Sequence, residues 1–419
     1  MCSFLITNKK ITDLDVINKK LKRRGPDNTS VLHHNDMTII HNLLHITGEK
    51  TLQPIIQNNT LLLYNGEVYN YKGKSDTEYV FNEINTFGPG VIKFFDGEFA
   101  IATLINNELI LATDMFGSKP LFYSKDNICF GASSYYSVLK ELGFTNINKL
   151  SPNTIFNLSR DEKIPSSEFN LEQTIETFDD WEHSFLRSVS KRITDKSFLC
   201  LSSGYDSGAI ALAAKLLRKD LTLFCVSSKE NVEIIKKREE FLGPINYMEI
   251  NDADILKHNS LIHALCDNYS FPDYNFLQDR ASLGLSVIFE AAKKRGLNVN
   301  ISGSGADEIF SDYGIKGRSV FWRDNTSTLK GIFPESLKGV FPWNNFYEGR
   351  QSRYLYKEES VAGCHGIETR YPFLDIHQVQ AFLNTSSKIK NAEYKAPLTH
   401  FFKKYDFPFE RDVKRGFNV

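Results

Sequence analysis

Over the first 160 residues, short apolar runs alternate with turn-forming residues. MTIIHNLLHI at 37–46, NTLLLYNG at 59–66, FAIATLI at 99–105, ELILATD at 108–114 and NICFGAS at 127–133 all have the length and make-up of strands. GPD, NG and GPG punctuate them, while ITDLDVINKKLKR at 11–23 and DTEYVFNEINTF at 76–87 repeat their apolar positions at helical spacing. Strands in succession with few helices predict packed antiparallel sheets flanked by helices, an α+β domain over 1–160. Residues 161–175 are polar and carry Pro and Ser, and are expected to be a linker. From 176 to 419 the texture changes. The strand candidates SFLCL, LTLFCVS and LNVNISG alternate with the helical runs AIALAAKLLRK and LGLSVIFEAAKKRG. That alternation predicts an α/β domain with a parallel sheet and flanking helices, whose ligands bind at the carboxyl ends of its strands.

Charge and cysteine usage narrow the possible functions. Lys and Arg total 50 against 51 Asp and Glu, so no basic excess points to nucleic acid. No run reaches the roughly 18 apolar residues of a membrane helix, and no secretory leader pattern follows Met1. The six cysteines are scattered without a CxxC spacing, which argues against a zinc knuckle or a disulfide framework and for a reduced, cytoplasmic setting.

The candidate chemistry begins at Cys2. If Met1 is removed, this residue carries both a thiol nucleophile and a free α-amine of near-neutral pKa that can act as its base. A cysteine at position two can arise by chance, and so can each turn motif that follows. The order of the motifs is harder to assign to chance: RRGPD at 23–27, YNGEVYN at 64–70, SDTE at 75–78, FDGEFAIA at 95–102 and TDMFGSKPLFYS at 113–124. In the second half, LSSGYDSGAI at 201–210 lies between a predicted strand and a predicted helix. Small residues there let backbone N–H groups close around phosphate at a helix N-terminus. NISGSGADEIFSDYG at 300–314, GIETRYPFLD at 366–375, YKAPL around Lys395 and KRGF at 414–417 follow.

Taken together these segments resemble the glutamine-hydrolysing asparagine synthetase family, and the likeness covers nearly the whole chain. The resemblance implies an N-terminal-nucleophile (Ntn) glutaminase domain followed by an ATP-pyrophosphatase synthetase domain. It implies ATP and Mg2+ as cofactors, and glutamine plus a carboxylate acceptor, aspartate by default, as substrates; a homodimer stays open. It assigns Cys2 as nucleophile, Asn65 and Gly66 as oxyanion hole, and Asp76, Glu67 and Arg24 as glutamine-binding residues. Ser202, Gly204, Asp206, Ser207, Gly303 and Gly305 fall at nucleotide-binding positions, Asp206 and Asp307 at metal positions, and Lys395 at a catalytic one. Glu368, Arg370 and Asp375 also match fixed family positions.

Three departures stand out. Leu43 occupies the place of the arginine that reads the glutamine carboxylate, a loss expected to weaken glutamine binding about ten- to a few hundred-fold, with Arg23 or His45 as possible substitutes. Ser203 replaces the first glycine of the pyrophosphate loop. Ser304 replaces a glutamate that is a candidate base for the incoming ammonia, a change worth about 10²–10⁴-fold unless another group serves. Alternatives are therefore a specialised amidotransferase for another carboxylate, such as a sugar acid or natural-product precursor, or a non-catalytic relative. Retention of Cys2, Asp206, Asp307 and Lys395 argues against the last.

Overall fold

The computed structural model describes residues 1–226, 230–272, 274–311 and 333–415. Two compact units divide the chain. The first comprises Met1–Ser167, Ser260–Leu277 and Leu355–Glu368; the second comprises Glu168–Asn259, Gln278–Tyr354 and Thr369–Val419.

The first unit holds two six-stranded sheets. One orders its strands Asn148–Lys149, Phe122–Lys125, Phe130–Ser133, Ser3–Thr7, Met37–Leu43 and Asn28–His34. The other runs Glu162–Ile164, Ile155–Asn157, Glu108–Thr113, Gly97–Ile105, Thr60–Val68 and Ile55–Gln57. Every pairing in these sheets is antiparallel among the described registers. Three of the hairpins close on two residues in the left-handed region: Asn35-Asp36, Asn58-Asn59 and Asn106-Asn107. Asn and Asp tolerate that conformation, and the resulting tight turns match the twist of the strands they join.

Period-two alternation then divides each strand between two cores. Leu61, Leu63, Ala100, Ala102, Leu109 and Leu111 face Phe4, Ile6 and Ile39 of the other sheet. Their neighbours Leu62, Tyr64, Ile101, Ile110 and Ala112 pack outward against Val80, Phe81 and Ile84 of the helix Asp76–Phe87. A one-residue slip in Thr60–Val68 would exchange the two cores and turn Asn65 to the wrong face. The expected antiparallel sheets with flanking helices are present. Glu162–Ile164, within the stretch read as linker, is the edge strand of the second sheet.

In the second unit, Ile245–Met248, Thr222–Val226, Ser197–Cys200 and Val299–Ile301 pair in parallel, with Thr369 and Arg370 of the last strand at the sheet's edge. The helix Tyr205–Leu216 is buried on almost every side, as its run of Ala, Ile and Leu requires. It begins four residues earlier than AIALAAKLLRK suggests, which places Asp206 and Ser207 in its first turn. Among the described residues no helix is long and apolar enough to cross a membrane.

Candidate active sites, one in each unit

Cys2 lies just before the strand Ser3–Thr7, which pairs on both sides, with Met37–Leu43 and Phe130–Ser133. The central position in the sheet fixes its backbone. The thiol is buried, 4.0 Å from the carbonyl of Leu44, and burial pushes its pKa up to about 11. Met1 is buried too, and its ammonium lies 3.0 Å from Glu368 Oε2. While Met1 is attached, the nitrogen of Cys2 is a peptide amide and cannot act as a base.

Asn65 is completely buried on the strand Thr60–Val68. Among the described residues, neither its side-chain oxygen nor its nitrogen has a hydrogen-bond partner. A buried amide left unspent is costly, and its donor is available to a bound group. Gly66 beside it has φ +153°, and a Cβ there would collide with the carbonyl oxygen of Glu98 and come within 2.6 Å of Phe99 Cα. Only glycine fits.

Asp76 opens the helix Asp76–Phe87 behind the N-cap Ser75. Its carboxylate accepts from Tyr64 Oη at 2.7 Å, Val68 N at 3.3 Å and Thr77 N at 2.7 Å; burial pushes its pKa up against these bonds. Glu67 is held by the Thr47 hydroxyl at 2.7–2.8 Å.

Arg24 is placed differently from the expected glutamine ligand. Its guanidinium is wholly buried, donates from Nε to the carbonyl of Cys2 at 2.9 Å, and pairs with Glu359. Glu359 also takes Lys119 Nζ at 3.0 Å. Glu359 was not foreseen, because it comes from the helix Arg350–His365, 335 residues beyond Arg24, and no local pattern marks it. Removing it leaves two buried cations without their shared carboxylate. Glu359→Ala is therefore expected to cost about 3–5 kcal/mol of stability, read as a lowered urea midpoint.

The arginine substitutes considered for Leu43 are not equivalent. Leu43 itself is buried at the end of its strand. Arg23 is exposed at the end of the helix Leu14–Lys22. His45 spends its ring on the carbonyl of Gly48 at 3.0 Å and its backbone N–H on Asp27 at 2.8 Å.

In the second unit the loop 202–207 joins Ser197–Cys200 to the helix Tyr205–Leu216. Ser202 and Ser207 share a hydroxyl contact of 2.8 Å, and Gly204 N–H donates to Ser202 Oγ at 3.1 Å. Gly204 is the helix N-cap and contributes no side-chain bond, so the first turn keeps donors for an anion. Ser203 N–H and Oγ–H both donate to Glu230 Oε2 at 2.5 Å.

Lys395 gathers the acids. Its ammonium lies 2.5 Å from Asp206 Oδ1 and 2.6 Å from Asp307 Oδ1, and Lys414 Nζ is 3.1 Å from Asp307 Oδ2. Burial would raise Asp307, but the two lysines outweigh it and hold the carboxyl well below the usual range. The side chain of Lys395 is 3% exposed, against 23% and 25% for the two aspartates, so the carboxylates still open to solvent. Lys395 also sits in the left-handed region (φ 42°), strain that a functional position tolerates. Two open carboxylates beside a phosphate loop suit Mg2+, which takes one or two protein carboxylates plus phosphate oxygens.

Gly303 and Gly305 serve close approach. A Cβ on Gly303 would lie 3.0 Å from Asp206 Cβ, and one on Gly305 (φ +97°) would strike Leu374. Ser304 N–H donates to Ser302 Oγ at 3.1 Å. Arg370 and Asp375 belong to the framework: Arg370 donates to the carbonyl of Arg192 at 3.1 Å. Asp375 caps the helix Ile376–Asn384 and pairs with Lys191 and Arg192. Gly416 and Phe417 of KRGF, and residues 312–314 of the 300–314 motif, lie outside the described residues.

The glutamine amidotransferase domain family matches residues 1–179, and the asparagine synthase family matches residues 180–358. This chain belongs to the glutamine-hydrolysing asparagine synthetase family. It is accordingly a glutamine-dependent ligase in construction, with one domain for the amide donor and one for the acceptor. A Methanocaldococcus jannaschii protein assigned to the glutamine-hydrolyzing asparagine synthetases is 27% identical, covering 90% of this chain and 78% of its own. The asparagine synthetase (glutamine-hydrolyzing) of Sandersonia aurantiaca is 27% identical over 93% of this chain and 76% of its own, and that of Triphysaria versicolor 23% identical over 93% and 68%.

Proposed function

We propose that the protein forms an amide from glutamine, ATP and a carboxylate, with aspartate as the acceptor and asparagine as the product. Cys2, freed by removal of Met1, attacks the glutamine side-chain amide, and its own α-amine takes the thiol proton. Asn65 Nδ2 and the N–H of Gly66 stabilise the tetrahedral oxyanion. Asp76 and Glu67 hold the α-ammonium, and Arg24 fixes the backbone of Cys2 instead of touching substrate. In the second domain the acceptor carboxylate attacks the α-phosphorus of ATP and expels pyrophosphate. Ammonia then displaces AMP from the acyl-adenylate.

Lys395, shared by Asp206 and Asp307 beside the 202–207 loop, carries this reading. Its ammonium can neutralise charge on the departing pyrophosphate, while the two carboxylates would hold Mg2+, which supplies charge neutralisation on the phosphates. The cytoplasmic setting belongs to the same proposal and is supported by six free cysteines.

The observation at Ser304 favours a second reading, an acceptor other than aspartate that brings its own base. AMP release measured across a panel of carboxylates separates the two: turnover with aspartate well above all others supports asparagine formation, and preference for another acid overturns it. Leu43→Arg is expected to lower the KM for glutamine about tenfold or more with little change in kcat, the signature of restored uniform binding. Initial rates of glutamate release over a glutamine series read it directly.

A further inference from the structure

We propose that Arg238 is a positioning residue for the phosphate loop, a buried cation that turns the loop's N–H groups outward and places positive charge beneath a bound polyphosphate. The inference rests on the nucleotide reading of residues 202–207. Arg238 lies on the helix Val232–Leu242 and is completely buried. Its Nη1 donates to the carbonyls of Ser202 at 2.5 Å and Gly204 at 2.9 Å, and its Nε donates to the carbonyl of Pro408 at 3.0 Å.

C=O and N–H of a trans peptide point in opposite directions. Drawing the carbonyls of Ser202 and Gly204 toward the guanidinium therefore aims the N–H groups of Ser203 and Tyr205 away from it, toward the side where an anion can bind. The N–H of Ser203 already meets one, the Glu230 carboxylate at 2.5 Å. An oxyanion thus occupies a donor that a phosphate oxygen would claim.

The guanidinium also fits against the start of the helix Tyr205–Leu216. A Cβ on Gly208 would lie 2.7 Å from both Nη1 and Nη2, so the glycine of D-S-G is there to admit the arginine. The other faces are aromatic, with the Phe407 ring centre 5.0 Å and the Phe402 ring centre 6.0 Å from Cζ. Burial lowers its pKa to about 9, which still leaves the group charged at neutral pH. Its bonds go to carbonyl oxygens, and Nη2 has no hydrogen-bond partner among the described residues. The Glu230 carboxylate is the anion whose charge acts on this buried cation, and its presence on Ser203 shows that negative charge is favoured on this side of the loop. The guanidinium adds to the positive end of the helix at the place where the phosphates of ATP would lie.

The test is calorimetric titration of the full chain with MgATP, backed by thermal melts. Arg238→Met, which keeps the volume and removes charge and donors, is expected to weaken MgATP binding tenfold or more while still melting as a folded protein, at a lower temperature because three carbonyls lose their donor. Arg238→Lys, which keeps the charge, is expected to stay within about threefold of wild type. In turnover assays the Met variant should raise the KM for ATP far more than it lowers kcat. A folded Met variant that binds MgATP like wild type overturns the proposal. If the Met variant does not fold, Arg238→Gln takes its place against Arg238→Lys, and equal affinity of those two overturns it. Wild-type protein that binds no MgATP overturns the nucleotide reading, and this inference with it.

Discussion

Cys2→Ala protein is expected to release no glutamate from glutamine, a loss of at least three orders of magnitude, while still forming amide product from ammonium salts and ATP. In the proposed mechanism the thiol is the nucleophile, so no partial activity should survive its removal. The proposed ammonia-dependent reaction draws on the 202–207 loop, Asp307 and Lys395, all in the second unit, whereas Cys2 belongs to the first. The same reasoning gives Met1 a role. With Met1 attached, burial pushes the thiol up to about 11, and the nitrogen of Cys2 itself is a peptide amide that cannot take the thiol proton. Active protein should therefore have Cys2 as its first residue. Intact-mass measurement of an active preparation checks this, and full activity with Met1 retained would sink the mechanism.

Lys395→Met is expected to lower ATP-dependent amide formation about 10²–10³-fold, the cost typical of losing one preorganised electrostatic contact in the transition state. The loss should be equal with glutamine and with ammonia as nitrogen source, because the proposed role of the lysine is in ATP cleavage and not in ammonia release. Glutaminase turnover measured alone should be unchanged. Removing the ammonium also leaves Asp206 and Asp307 facing each other without their shared cation, which raises the pKa of one of them. A higher Mg2+ concentration should then restore part of the rate by supplying the missing charge. A defect confined to the glutamine-dependent reaction would contradict the role given to Lys395.

What could be read from the sequence followed the distance over which each feature is encoded. Thr60–Val68, Gly97–Ile105 and Glu108–Thr113 announce themselves because short apolar runs bounded by two-residue Asn turns are local signals. The phosphate loop is equally local, since strand, small residues and helix follow one another within about 20 positions. Ser3–Thr7 was not anticipated. It is five residues long with only Phe4, Leu5 and Ile6 apolar, too short a run to stand out, yet it is paired on both sides and holds Cys2 in place.

The supporting contacts are the least legible. Glu359 reaches Arg24 across 335 residues, and Arg238 reaches Ser202 across 36 from another helix. In sequence each reads as one more charged residue on a helix, and only packing reveals that it is buried. Arg24 shows the converse. Its motif is conspicuous, but its guanidinium is spent on the carbonyl of Cys2 and on Glu359, which makes it a support for the nucleophile.

The measurement that bears most directly on the whole account is a mass balance with amide-15N glutamine. Purified protein is incubated with the labelled glutamine, MgATP and aspartate, and the products are followed by mass spectrometry and 31P NMR. The account predicts glutamate, AMP, pyrophosphate and asparagine in equal amounts, with the 15N in the asparagine amide. ADP and phosphate in place of AMP and pyrophosphate, or labelled ammonia released without any amide product from aspartate or another carboxylate, would contradict it.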